Sequence, residues 1–141
     1  MASQNTVEKL DVPTPSEFDS LLSQAIKSNG SSKPVLVLFS GDIDPQTNQS
    51  WCPDCVQADE TLPQYLKDIP SYTLLKCWIS RSEYKGNPKH PYRVHPKINL
   101  KAIPTLIRYS ANGNPREVLV EEECYNVDLV KDFVESVNSK K

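Results

Sequence analysis

Two cysteines, Cys52 and Cys55, stand two residues apart in the stretch SWCPDCV, Ser50 to Val56. A dithiol at that spacing can hold a metal, staple the chain, or make and break its own disulfide. A helix beginning at Cys52 would favour the last of these. Cys52 would then occupy the helix cap, with Pro53 in the first turn. Unpaired backbone N–H groups and the positive end of the helix dipole would surround its sulfur and favour thiolate over thiol. Cys55 would lie one turn on, on the same side and deeper, so the two sulfurs could meet without unwinding the helix.

A thiol pKa lowered from about 8.5 to about 7 raises the thiolate fraction at neutral pH roughly 15-fold. Nucleophilicity falls about fivefold over the same range, so the net gain is only about threefold. The larger advantage lies in the second cysteine, because effective molarities in well-oriented systems reach ~10⁵ M. The spacing therefore implies two steps, with Cys52 as nucleophile and Cys55 as the resolving thiol that closes a redox-active Cys52–Cys55 disulfide. Asp54 has two readings. It is a first-turn acid favourable by about 0.3–1 kcal/mol, or it is a proton acceptor for Cys55 during resolution. Either way its charge opposes thiolate formation nearby.

A structural zinc site needs four ligands. The remaining candidates are Cys77, Cys124, His90 and His95, and none forms a second paired motif. Each histidine precedes a proline and is expected to be solvated. No metal is therefore expected. Cys77 falls in a strand pattern, where a buried thiol is ordinary. Cys124 follows three glutamates in a turn expected to be exposed, and their charge would raise its pKa.

The elements that must position the pair are legible from patterning. TPSEFDSLLSQAIKSNG reads as a first helix, with Thr14 and Glu17 as a capping box and Gly30 as the stop. PVLVLFSG is apolar on both faces, as a central parallel strand should be. A polar loop, Asp42 to Ser50, leads to the cysteines. VQADETLPQYLKDI continues a second helix that Pro63 should kink or divide. YTLLKCWIS is another strand. Arg81 to Lys101 reads as a long loop with one short helix. PTLIRYS and EVLVEEE form a hairpin around Asn112-Gly113. NVDLVKDFVESV closes the chain as a helix with Leu129, Val130, Phe133, Val134 and Val137 inward. NTVEKLDV could add an edge strand in front. Alternation followed by a hairpin predicts an α/β fold, a central mixed sheet with helices on both faces.

The 141 residues fit one domain, 1–141, with 1–6 and 139–141 expected to be flexible tails. A formal charge of -2 argues against nucleic acid as a partner, and no apolar run is long enough to span a membrane. The polar N-terminus lacks the apolar core of a signal peptide, so the expected compartment is the cytoplasm, where disulfides are transient and catalytic.

WCPDC together with IPTL, Ile103 to Leu106, resembles the thioredoxin superfamily. That resemblance implies the thioredoxin fold, with Pro104 in the place of a cis-proline that faces the cysteines. A closer likeness is the branch of fourteen-kilodalton thioredoxin-related proteins, the thioredoxin domain-containing protein 17 branch. It is carried by SWCPDCVQA, YKGNP, IPTLIRY and LVEEEC. This implies a monomeric disulfide reductase with no bound cofactor, taking electrons from NADPH through thioredoxin reductase. Its substrates would be small disulfides such as cystine and selected proteins, with dynein light chain as a further partner. Trp51, Pro53, Ile103, Pro104 and Thr105 would border the substrate groove, where an extended peptide could pair with the main chain. The two long loops are expected to narrow access to Cys52. Three departures from thioredoxins proper stand out. Leu38 replaces a buried strand aspartate, Pro63 lies further from the cysteines than the usual helix proline, and Pro-Asp separates the pair. Two other classes stay open: a redox-sensitive protein-binding module of the same fold, and a zinc domain.

Overall fold

The computed structural model describes residues 6–139. Their elements run β1 (Thr6–Val12), a 3-10 turn (Pro15–Glu17), α1 (Phe18–Asn29), β2 (Val35–Gly41), β3 (Ile43–Asp44), β4 (Gln49–Ser50) and α2 (Pro53–Leu66). There follow β5 (Ser71–Ile79), α3 (Arg81–Tyr84), α4 (Pro91–Val94), β6 (Thr105–Tyr109), β7 (Pro115–Val120), a second 3-10 turn (Glu121–Tyr125) and α5 (Val127–Ser139). Thr6 opens β1 and Ser139 ends α5, so these two residues belong to regular elements and not to the expected tails; the rest of those tails, 1–5 and 140–141, lies outside the described residues.

Five strands form one sheet in the order β1-β5-β2-β6-β7. β1, β5 and β2 run parallel, while β6 and β7 run antiparallel to their neighbours. Every residue of β2 is buried, as its unbroken apolar run requires of a strand covered on both sides. The pleat sends Val35, Val37 and Phe39 into one core and Leu36 and Leu38 into the other. The first core is closed by α1 and by the 81–101 segment, the second by α2 and α5. Phe18, Phe39 and Tyr92 meet with centroids 5.1–5.9 Å apart, each pair contributing about 0.5–1.5 kcal/mol beyond burial.

Several details correct the sequence-based expectations. The first helix opens as a 3-10 turn, and Thr14 makes no side-chain cap. Its hydroxyl donates to the Glu17 carboxylate at 2.9 Å instead, so the capping box is absent. Gly30 does end α1, at φ 59°. Pro63 sits inside α2 without dividing it, and the helix runs unbroken over fourteen residues. Leu129 is 37% exposed, whereas the other four positions expected inward, Val130, Phe133, Val134 and Val137, are buried. The 81–101 segment holds two short helices, and it is part of the core: Tyr84, His90, Tyr92, Ile98 and Leu100 are all buried. His90 is thus not solvated. Its Nδ1 accepts the Tyr92 N–H at 3.1 Å, capping α4 from inside. Among the described residues no helix is long and apolar enough to cross a membrane.

Candidate active site

β2 delivers the chain to the site at Gly41. A Cβ there would stand 2.8 Å from the Trp51 ring and 2.9 Å from Ser50 Oγ, so only glycine lets the chain return so closely. The return is a short hairpin of two two-residue strands, β3 against β4. Ser50 then clasps both limbs. Its hydroxyl donates to the Gly41 carbonyl at 2.8 Å and accepts the Cys52 N–H at 3.2 Å. Trp51 is pinned by its indole N–H on the Ile79 carbonyl at 2.8 Å and by its backbone N–H on Asp42 at 3.1 Å.

Cys52 caps α2 as expected. It has extended backbone, Pro53 follows in the first turn, and its sulfur accepts the Cys55 N–H at 3.2 Å. Cys52 is 6% exposed and Cys55 fully buried. The Cys55 sulfur in turn accepts the Gly41 N–H at 3.4 Å. The thiols ionise as a pair. The hydrogen bond between them holds the first ionisation, at Cys55, below the ordinary thiol range and pushes Cys52 up while the proton sits there. Burial opposes both ionisations, the Gly41 N–H helps Cys55, and the Asp54 charge adds to the rise at Cys52. One thiolate is therefore favoured and two are not.

Opposite the sulfurs lies the turn before β6. The Ile103–Pro104 peptide is cis, and the Cys52 thiol points at the Ile103 carbonyl at 3.8 Å. Trp51, Cys52, Pro53, Asp54 and Ile103 line one groove of about 570 Å³. Pro104 and Thr105 are buried behind it. Thr105 is 3% exposed, and its hydroxyl donates to the Ala102 carbonyl at 2.7 Å, which turns it away from the groove. The far wall comes from the 81–101 segment, whereas the 42–50 loop, expected to narrow access as well, does not line the groove.

Asp54 is engaged. The Tyr125 hydroxyl donates to its Oδ1 at 2.7 Å, and that bond raises the phenol to about 12. No sequence signal links residues 71 apart. Patterning also missed the Asp59–Lys76 pair, 3.2 Å apart, whose carboxylate charge acts on Cys55 from one helical turn further along α2. Cys124 is not in an exposed turn. It is fully buried, donates to the Leu119 and Pro104 carbonyls at 3.4 and 3.6 Å, and is pushed up to about 12 mainly by burial. Cys77 is equally buried and equally raised. Among the described residues no three His, Cys, Asp or Glu side chains gather as a metal site would require.

The strand order, the cysteine pair at a helix N-terminus and the facing cis-proline together define a thioredoxin-fold protein of the oxidoreductase type. Solved structures agree on the fold. DsbH oxidoreductase superposes with a TM-score of 0.55 at 11% identity, covering 99% of this chain and 92% of that one. The oxidised C-terminal domain of Neisseria meningitidis DsbD gives 0.53 at 16% identity, covering 92% and 97%. The chain belongs to the thioredoxin domain-containing protein 17-like family, whose thioredoxin-domain model matches residues 15–136. It is 35% identical to thioredoxin domain-containing protein 17 of Danio rerio, over 74% of this chain and 80% of that one. It is 36% identical to the thioredoxin-like protein Clot of Arabidopsis thaliana, over 77% and 81%.

Proposed function

We propose that the protein is a cytoplasmic thiol–disulfide reductase that acts on small disulfides such as cystine and on selected protein disulfides. One observation carries this reading. The outer sulfur of a dithiol lies at a helix N-terminus, accepts the Cys55 N–H at 3.2 Å and borders an open groove. In the first step the proton that Cys52 holds passes to Cys55, the Cys52 thiolate attacks one sulfur of the substrate, the S–S bond breaks, and the first product leaves as a thiolate that takes a proton from water. In the second step Cys55 gives its proton to water, and its thiolate attacks the Cys52 sulfur and expels the second product thiolate. The protein loses two electrons as Cys52–Cys55 closes, and the substrate gains two. NADPH, through thioredoxin reductase, restores the dithiol. The backbone at Ile103 and the faces of Trp51 and Pro53 hold the substrate beside the sulfur.

Purified protein should drive NADPH consumption in the presence of thioredoxin reductase and cystine, and Cys52→Ser should abolish it. A wild-type rate no higher than that of Cys52→Ser would overturn the proposal. The same variant tests the reading of a binding module: dynein light chain, if a partner, should still be retained by Cys52→Ser.

A further inference from the structure

The groove beside Cys52 has a charge that the molecule as a whole does not. The chain carries a formal charge of -2. Yet Arg81, Lys85, Arg93 and Lys101 line the groove against only two carboxylates, Asp54 and Glu121. Asp54 is already engaged by the Tyr125 hydroxyl. None of the four cations joins an ion pair within 4 Å among the described residues, although Lys33, Lys76 and Arg108 elsewhere do. All four come from the 81–101 segment, and that segment is anchored in the core by Tyr84, His90 and Tyr92.

Arg93 is the most constrained of them. Its guanidinium lies 3.8 Å above the Tyr84 ring, and one of its terminal nitrogens donates to the Tyr84 carbonyl at 3.3 Å. Its Nε is buried and makes no hydrogen bond, and the Tyr84 hydroxyl is also buried without one. A stacked, pre-oriented guanidinium with spare donors is suited to a carboxylate. Lys85 stands 6.0 Å from the centre of the ring of Trp51, the residue that precedes Cys52. A volume of about 570 Å³ suits a small molecule.

Resting on the reductase reading above, we propose that this groove selects small disulfides that carry carboxylates, with Arg93 as the principal contact and Lys85, Arg81 and Lys101 as a cationic rim. The chemistry is the two-electron exchange already given; the cations act on which disulfide reaches Cys52. Converging positive charge raises the local concentration of anions and their encounter rate.

The test is single-turnover oxidation of the fully reduced protein, which needs no reductase. Product thiol is followed with three disulfides: dithiodipropionate, doubly negative; hydroxyethyl disulfide, neutral; and cystamine, doubly positive. Each rate constant is divided by that of mercaptoethanol with the same disulfide, which removes intrinsic reactivity. The normalised rate for dithiodipropionate should exceed that for cystamine by about tenfold or more at low salt, and the ratio should shrink at high salt. In Arg93→Gln and Lys85→Gln the dithiodipropionate-to-neutral ratio should fall severalfold. Arg116→Gln makes the same charge change on β7 at the opposite end of the sheet and should leave the ratio unchanged. Because each reading is a ratio within one variant, a general loss of reactivity cancels. Equal normalised rates for all three disulfides, or a ratio that Arg93→Gln and Lys85→Gln leave intact, would overturn the selectivity while sparing the reductase reading. Failure to reduce even the neutral disulfide would overturn both.

Discussion

Asp54 shows how one residue can be held by a distant partner and still influence the sulfur beside it. Its carboxylate accepts the Tyr125 hydroxyl, while its charge raises the Cys52 thiol. Removing that charge should therefore ease ionisation. Asp54→Asn, which keeps an acceptor for Tyr125, should make iodoacetamide react with the dithiol roughly two- to fivefold faster at pH 6, as a nearby unit charge is worth about 0.5–1 kcal/mol near a surface. Unchanged or slower alkylation would mean that the carboxylate acts chiefly as a proton acceptor. At this scale the placement of Cys52 and Cys55 at the start of α2 was legible, because cap chemistry and the two-residue spacing are local; which thiol ionises first was not, since the hydrogen bond between the two sulfurs decides it against the expected Cys52. The sequence was silent on Ser50, Tyr84, Arg93 and Tyr125. Their roles come from contacts that local spacing does not encode.

At the scale of elements, the 81–101 segment departs most from its patterning. Its prolines and charges read as an open loop, but every few residues it returns a ring or aliphatic chain to the core beneath α1. The apolar residues have no single period because two short helices and the turns between them each present one or two. His90 is the clearest consequence. Only 2% exposed, it caps α4 and packs against Tyr84 and Tyr92, and burial, then the Arg93 charge, lowers its pKa. Glu83 opposes this more weakly. The folded chain thus binds fewer protons than the unfolded chain once pH falls below about 6.5, and stability declines on acidification. Denaturant titrations at pH 5 and pH 7.5 should show that loss in the wild type, and a smaller one in His90→Asn, which retains the helix-capping acceptor. Identical slopes in the two proteins would remove His90 from the account. The regular elements were more legible. β2, β5, β6, α1 and α5 fall within a few residues of their expected spans, because an apolar run or a 3.6-residue stripe directly demands burial. Leu129 was misplaced since Val130, Phe133, Val134 and Val137 already form the i, i+3, i+4, i+7 stripe and position 129 falls on its flank.

For the whole molecule, the sheet divides the interior into two sealed compartments, and each contains one cysteine besides the active pair. Cys77 faces the α1 side and Cys124 the side of α2 and α5. Both are fully buried with raised thiols. Native reduced protein should accordingly react with one equivalent of a bulky maleimide quickly, at Cys52, and with four only after unfolding; fast native labelling at Cys77 or Cys124 would contradict the packing described above. Burial follows from strand alternation at Cys77. At Cys124 the glutamates masked it, since they lie on the outer side of a 3-10 turn whose inner side is apolar.

The two hidden sulfurs make the protein a natural recorder of its own unravelling. As denaturant is raised, whichever of them first gains a label reports which half of the sandwich lifts away from the strands. The order of loss of the helical layers can thus be read by peptide mapping, with no engineered probe.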